Sequence, residues 1–558
     1  MSETPAIQPD RSGWRCTVLR AVEGLAVALA AFAILLNYHN PNLHIDECYH
    51  LLAAESLQTD GDLKIGPQSA KPYDRAWAFT HVVSWSTAAL GDSLFAGRLP
   101  AMLSGALLAA VMWLALRGAG LLAALAGTAL VLVSIETVHL SNLVRFYAPH
   151  GVVLTAFMFS VYQAVWARRK PAAAWGLAAL CCLPLAMHLH ELTVVPAGLT
   201  LAAAYWVLLG RWSAAGLPGR RGKRAMVASA VSIGAAALAF AAAWRLGIVS
   251  DKWGEFRHVA PWAASTQNDV LYYWSRFEVW TSIGPVRGAW ILGFPLAVAL
   301  GCLRNARLTL WMAFLCVGGI GVMSWAGMKA PRYIYFALPM FYGVWGVAIG
   351  EIGERLRRFG LAVSQRAWPR PTPAWMPRLV AVKAFVLVLV VGGYVMYRTP
   401  MHYQGGRMLL TSTPVSRSVA VDWASHLDRL TPLALQAEVV TGSEGPKLRY
   451  YFDRLDYSLS VTQMEDLEAE FEVDFRMGVP VISTPESLAK VVAGSASGLV
   501  ISEDPNWRMD FSFAPATADW VEANLTEVPL AEGSRLHAFV WGLDVPALDA
   551  SPLAGASD

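Results

Sequence analysis

The chain has 558 residues, of which 55% are hydrophobic and only 15% charged, with a net charge of +3 and a mean hydropathy of +0.41. That balance excludes an ordinary soluble globular protein and a disordered chain, and it describes a polytopic membrane protein with at most one soluble appendage. The basic residues cluster between apolar runs, where membrane topology accounts for them, so no nucleic-acid partner is expected.

A membrane-spanning helix needs about 20 predominantly apolar residues. About eleven such runs are predicted, near 21–38, 96–116, 121–138, 149–167, 172–188, 192–209, 225–246, 288–303, 308–326, 333–350 and 379–397. The first is read as a retained span, because no small-residue cleavage site follows it. Arg11, Arg15 and Arg20 precede it, and further clusters follow the fourth, sixth, eighth and tenth runs: Arg168 to Lys170, Arg220 to Arg224, Arg304 with Arg307, and Arg355 to Arg358. With an inside N-terminus, all of these clusters fall on the cytoplasmic side of a bacterial inner membrane.

The first outward loop, 39–95, holds the stretch Leu43-His44-Ile45-Asp46-Glu47-Cys48-Tyr49-His50, followed by Lys71 and Arg75. Two adjacent carboxylates at the edge of a bilayer are expensive unless they are paired or functional. A lone Asp there would simply mark where water begins, but an acid pair between two histidines suggests catalysis. Later outward segments carry His139 with Arg145 and Tyr147, then His188-His190-Glu191, then Lys329 with Arg332. Outer loops are usually poor in Lys and Arg, so these cations point either to an anionic ligand or to snorkelling towards headgroups. The aromatic residues of 247–287, such as Trp253 and Trp262, are expected to anchor at the interface.

From about 398 the pattern changes. Strand-like runs at Ala437 to Val440, Tyr457 to Val461, Val479 to Ser483, Gly498 to Ser502 and Leu536 to Trp541 alternate with helical patterns at Val419 to Leu430, Pro446 to Phe452 and Glu486 to Ala493. This predicts a membrane domain over 1–397 and an extracytoplasmic α/β domain with a mainly parallel sheet over 398–558. Thr441 to Pro446 is a turn that lacks any phosphate-binding fingerprint, so the tail is expected to have no active site of its own. The six cysteines fall at or before Cys316, mostly beside or within spans, which argues against a disulfide framework and a structural zinc site.

Several of these residues together resemble the GT-C glycosyltransferases, in the branch of protein O-mannosyltransferases and lipid A aminoarabinose transferases. The resemblance rests on the acid pair after the first span, Lys71-Pro72, and Gly91 to Pro100 entering the second span. Val144-Arg145-Phe146-Tyr147-Ala148, and Lys329-Ala330-Pro331-Arg332-Tyr333 followed by Leu338-Pro339, add to it. It covers roughly 20–400 and leaves the tail unmatched; Cys48-Tyr49-His50 and Tyr73-Asp74-Arg75 depart from the pattern. It implies transfer of a sugar from a polyprenyl-phosphate donor to a glycan, lipid or protein acceptor at the outer membrane face.

On that implication Asp46 is the general base and Glu47 orients it or the acceptor, while Lys71, Arg145, Lys329 and Arg332 hold the donor phosphate. His44, His50, Tyr147, His190 and Tyr333 are expected to line the substrate pocket. His44, Asp46, Glu47 and His50 do not have the spacing of a zinc site; the spacing leaves open a hard divalent cation such as Mg²⁺, Mn²⁺ or Ca²⁺. The competing readings are a transporter or flippase for lipid-linked sugars and a non-catalytic membrane scaffold. The spans show no repeated halves to favour the first, and the second leaves the acid pair unexplained.

Overall fold

A computed structural model of the protein describes residues 11–38, 40, 42–69, 71–91, 93–166, 169–214, 269–325, 329–367, 375–411, 421–460, 470–474, 476–510 and 512–545. Among them, seven helices are long and apolar enough to cross a membrane. They include α1 (Arg11–Leu35), α4 (Leu94–Leu116), α7 (Tyr147–Trp166), α8 (Arg169–Leu189) and α9 (Val194–Ala214). A further crossing arises if α5 (Leu121–Leu132) and α6 (Ile135–Ser141), bent by 62° at their junction, count together. Ser134 makes that bend: its hydroxyl caps α6 by accepting from Thr137 N at 3.3 Å.

Two shorter helices, α2 (Ile45–Thr59) and α3 (Trp77–Leu90), lie between α1 and α4, and α10 (Tyr272–Trp280) precedes the second half of the bundle. The expected runs 288–303 and 308–326 fall largely in one continuous element, α11 (Phe294–Ser324), which turns back on itself at Asn305 (φ −151°, ψ 81°). The reversal is visible in the packing, since a Cβ on Gly301 would lie 2.8 Å from Thr309 Oγ1, positions about 12 Å apart on a straight helix. Asn305 also caps the second segment, its Oδ1 accepting from Leu308 N at 3.2 Å. The run at 333–350 opens α12 (Ala337–Ala367), which becomes amphipathic through Glu351, Glu354, Arg355, Arg357 and Arg358, and 379–397 lies in α13 (Met376–Tyr397). The run at 225–246 lies outside the described residues.

In the bundle α12 packs on α5 and α11, α7 on α8 and α4, and α1 on α4. Small residues permit the closest approach: a Cβ on Gly346 of α12 would sit 2.7 Å from the Cα of Gly127 in α5. After α13 the chain forms α14 (Pro400–Thr411), which returns to pack on α6.

The tail then builds α15 (Leu427–Gln436) and a five-stranded sheet. Its members are β1 (Val439–Gly442), β2 (Tyr457–Ser458), β3 (Gly498–Glu503), β4 (Thr526–Glu527) and β5 (Leu536–Trp541), in the order β2-β1-β3-β5-β4. Helices α16 (Gly445–Phe452), α17 (Pro485–Gly494) and α18 (Pro515–Asn524) connect them. The sheet is mixed where a mainly parallel one was expected. β2, β1 and β3 run parallel, but β5 pairs antiparallel with both β3 and β4. Val479 to Ser483, expected to be a strand, makes only single bridges at Pro480 and Val481, since Pro480 has no N–H to extend a ladder.

Two contacts fix the tail to the first loop of the membrane part. Helix α16 packs on α2, and the turn at Gly478 (φ +75°) lies against the backbone of Gln68. A Cβ at Gly478 would be 2.0 Å from Gln68 O, so both the left-handed conformation and the contact require glycine. Beside it Ser69 Oγ donates to Arg476 O at 2.5 Å.

Candidate functional site

The site is built around the first turn of α2. His44 ends the preceding loop in an extended conformation (φ −81°, ψ 140°), and its Nδ1 accepts from Asp46 N at 3.1 Å. Glu47 reaches back to accept from His44 N at 2.9 Å, completing a reciprocal cap. The cap uses His44 for structure and sets the directions of the two acids, which diverge because consecutive helical residues point about 100° apart.

Glu47 turns into the protein and is 0% exposed. It takes a two-pronged grip from Arg98 (Nε to Oε1 and Nη2 to Oε2, both 2.8 Å) and a further bond from Val144 N at 2.9 Å. Arg98 also donates to Asn40 O and, at 3.0 Å, to Asn42 O. Burial would push the Glu47 carboxyl up, but Arg98 and the backbone donors outweigh it and hold the group below its ordinary value. This ion pair joins α2, α4, the loop after α1 and the segment before α7.

Asp46 faces outward, with 21% of its side chain exposed. Arg145 Nη2 approaches its Oδ1 at 3.5 Å and Arg332 Nη1 its Oδ2 at 4.0 Å. Arg145 is fixed by donating from Nη1 to the Asp46 carbonyl (3.1 Å) and to the Tyr73 hydroxyl (2.9 Å). Both guanidinium groups lie over the ring of Tyr147, at 5.8 and 5.9 Å from its centroid. Burial pushes the Asp46 carboxyl up, yet Arg145, then Arg332, His44 and Arg75, together hold it well below the usual carboxylate range. Even so, the Nε–H groups of Arg145 and Arg332 are buried without a partner among the described residues.

A cavity of about 570 Å³ opens beside these groups. Asp46, His44, Arg332, Tyr147 and Arg276 contribute polar lining together with Glu136, His139 and Gln404, while Ile135, Leu140, Leu143 and Phe277 contribute apolar wall. Asp46, Arg145, Arg332, Tyr147 and His44 therefore lie together, with Arg145 beside Asp46 but not in the cavity lining. The other expected residues are elsewhere. Glu47 is walled off by Arg98. His50 is fully buried with Nδ1 2.9 Å from Thr80 Oγ1 and does not line the cavity. His190 caps the turn before α9, its Nδ1 accepting from Leu192 N at 3.2 Å behind Tyr147 and Tyr333. Tyr333 is buried, with its ring 5.5 Å from the Arg332 guanidinium. Lys71 is exposed and Lys329 buried, and neither lines the cavity. Of His188-His190-Glu191, Glu191 pairs with Arg75 at 3.0 Å, and that guanidinium lies 4.9 Å from the Phe146 ring.

Sequence reading did not single out Arg98, Arg276, Tyr73 or Glu136, which lines the cavity at the start of α6. Arg98 had a signal, since an arginine inside an apolar run demands a buried counter-charge. Among the described residues no three of His, Cys, Asp or Glu converge as a metal-binding group. Asp46 flanked by two guanidinium groups is also a poor place for a divalent cation, so the residues present do not fit one.

Bundle, acid-bearing loop helix and appended mixed sheet define a multi-pass membrane protein of the GT-C fold. No protein-family model matches the chain, and no curated protein matches it by sequence. Among solved structures it is similar to ArnT from Cupriavidus metallidurans bound to undecaprenyl phosphate, with a TM-score of 0.56 and 17% identity over 95% of this chain and 98% of that one. The apo state of the same ArnT gives a TM-score of 0.56 and 15% identity over the same shares. The likeness extends through the tail, which the sequence resemblance did not reach.

Proposed function

We propose that the protein is an inverting glycosyltransferase that moves a sugar from a polyprenyl-phosphate donor to the hydroxyl of a glycan, lipid or protein acceptor. The observation that carries this reading is one carboxylate flanked by two arginines whose buried Nε–H donors have no partner among the described residues, with the acid and Arg332 lining a partly apolar cavity. Such a cavity suits an anionic lipid head with its chain along the wall, and ArnT, which shares the fold, binds undecaprenyl phosphate.

In the proposed reaction the acceptor oxygen attacks the anomeric carbon as the bond from that carbon to the phosphate oxygen breaks. The hydroxyl proton passes to Asp46, and the electron pair leaves with polyprenyl phosphate, whose added negative charge is met by Arg145 and Arg332. Attack opposite the leaving group inverts the anomeric centre. The same two arginines that hold Asp46 ionised, and hence weakly basic, are partly neutralised when the phosphate arrives. Donor binding therefore raises the basicity of Asp46 at the moment a base is needed. Glu47 is the positioning residue, anchoring Asp46 through α2 and Arg145 through Val144.

The Lys/Arg bias of the loops supports an orientation in a bacterial cytoplasmic membrane that puts this cavity and the tail on the outer side. The test is to compare envelope glycans and lipids by mass spectrometry in cells expressing wild type or Asp46→Asn. A sugar modification present only with wild type is expected; indistinguishable profiles would remove the activity.

A further inference from the structure

On the other side of the first turn of α2 lies a second cavity, of about 340 Å³, which the reaction above does not use. Ile45 and Tyr49 close it from α2, and the tail supplies the rest. Its floor is the carboxyl end of the three parallel strands: Ser443 and Glu444 follow β1, Ser458 and Ser460 end and follow β2, and Asn506 follows β3. Open α/β sheets take ligands at this edge, where the loops leaving the strands converge.

The cavity contains an unmet polar atom. Glu444 is 0% exposed; Asn506 Nδ2 donates to its Oε1, but Oε2 is buried and has no hydrogen-bond partner among the described residues. Lys447, the adjacent cation, is committed to Glu503, with Nζ 2.8 and 2.6 Å from its two oxygens. A buried acceptor left unpaired is costly, and a donor arriving from the cavity would satisfy it. The wall opposite the sheet carries Tyr49, whose ring stacks on Tyr73 at 5.5 Å between centroids and has the Arg476 guanidinium, another lining group, over it at 5.8 Å.

A carboxyl oxygen, hydroxyls that both donate and accept, a side-chain amide and a guanidinium together match a hydroxyl-rich ring. Each sugar hydroxyl donates to one group and accepts from another.

We propose that this cavity binds a saccharide ring of the acceptor; the acceptor role rests on the glycosyl-transfer reading. The donor's own ring is not the occupant, because it is bonded to the phosphate and so must stay beside Arg145 and Arg332. Ile45 and Asp46 are consecutive but line different cavities. An acceptor of several sugars would therefore pass around one turn of α2, with one ring held by the tail and the reacting hydroxyl at Asp46.

The test is saturation-transfer NMR on the full chain in nanodiscs, with free glucose, galactose, mannose and N-acetylglucosamine as probes. At least one sugar is expected to take up saturation. Met509→Trp, which fills the cavity from its rim, and Glu444→Leu are each expected to reduce that signal at least tenfold while leaving undecaprenyl phosphate binding unchanged. No saturation of any of the four sugars by wild type, or an undiminished signal in Met509→Trp, overturns the site. Sugar binding by a wild type that has no affinity for undecaprenyl phosphate would instead overturn the transfer reading and the acceptor role with it.

Discussion

Asp46 and Glu47 are consecutive acids on one helical turn and each is opposed by arginine, yet they belong to different regions of the molecule. The Glu47 region is closed: four donors saturate the carboxylate, and Arg98 directs two further N–H groups to backbone carbonyls. The Asp46 region is open, with contacts of 3.5 and 4.0 Å, a cavity alongside, and donors on both arginines still unused. A saturated ion pair holds elements together, whereas an unsaturated one is poised to exchange partners with a charged ligand. The difference separates a positioning acid from a candidate catalytic one more sharply than burial or charge alone.

The largest effect is expected at Asp46. Asp46→Asn should lower sugar transfer by about 10² or more while leaving the fold and undecaprenyl phosphate binding in place. Near-normal turnover in that variant would erase the contrast between the two acids. Glu47→Gln should break the other side of the comparison by costing stability on the order of 3 kcal/mol, because Arg98 is left buried against a neutral partner. Thermal denaturation in detergent reads this, and activity per folded molecule should fall less than in Asp46→Asn. A Glu47→Gln protein of wild-type stability but without activity would reverse the two roles.

The arginines sharpen the comparison next. Arg145→Ala and Arg332→Ala should each weaken undecaprenyl phosphate binding by about tenfold or more, whereas exposed Lys71→Ala should change it by less than about twofold. Arg332→Ala should also alter the pH profile of the residual transfer. As the proposed base, Asp46 would have to be ionised, and its carboxyl is held low by neighbouring cations, so activity should fail as pH falls through that depressed value. Removing one cation raises the value, and the acid limb should move to higher pH. An acid limb that stays in place would detach Asp46 from the pH dependence.

The smallest expected effect lies in the tail. Burial, reinforced by Glu503, pushes the Glu444 carboxyl up from 4.5 to about 7. Between those values the unfolded chain gives up the proton while the folded one keeps it, so Glu444 should make the tail less stable as pH rises through that window and level off above it. Glu444→Gln should flatten this slope, as measured by denaturation at pH 5 and pH 8.

Most of the spans that fall among the described residues were legible, because hydropathy is a local property and a membrane leaves few alternatives to an apolar helix, but the bend at 133–134 and the merging of 288–303 with 308–326 were not. The acid stretch was legible for the related reason that charge at a bilayer edge is costly. Arg145 and Arg332 could be placed beside Asp46 from their order along the chain, while Lys71 and Lys329 sat in equally suggestive loops; of the four, Arg332 lines the cavity. In the tail, the positions of β1, β2, β3 and β5 followed from alternating and continuous apolar runs. The antiparallel insertion of β5 did not, since direction depends on where α18 and β4 return the chain.

By itself, then, the sequence determined that this is a many-spanning membrane protein with an acid-bearing loop after its first span and a strand-helix tail, because those features are written in residue-by-residue polarity. Only the tertiary structure decided which acid faces a cavity, which cations stand beside it, and that the tail packs its helix α16 against α2. Those outcomes depend on one turn of helix and on which distant segments pack against it. A rotation of about 100° separates neighbouring residues on that turn, and no local pattern records which way it faces.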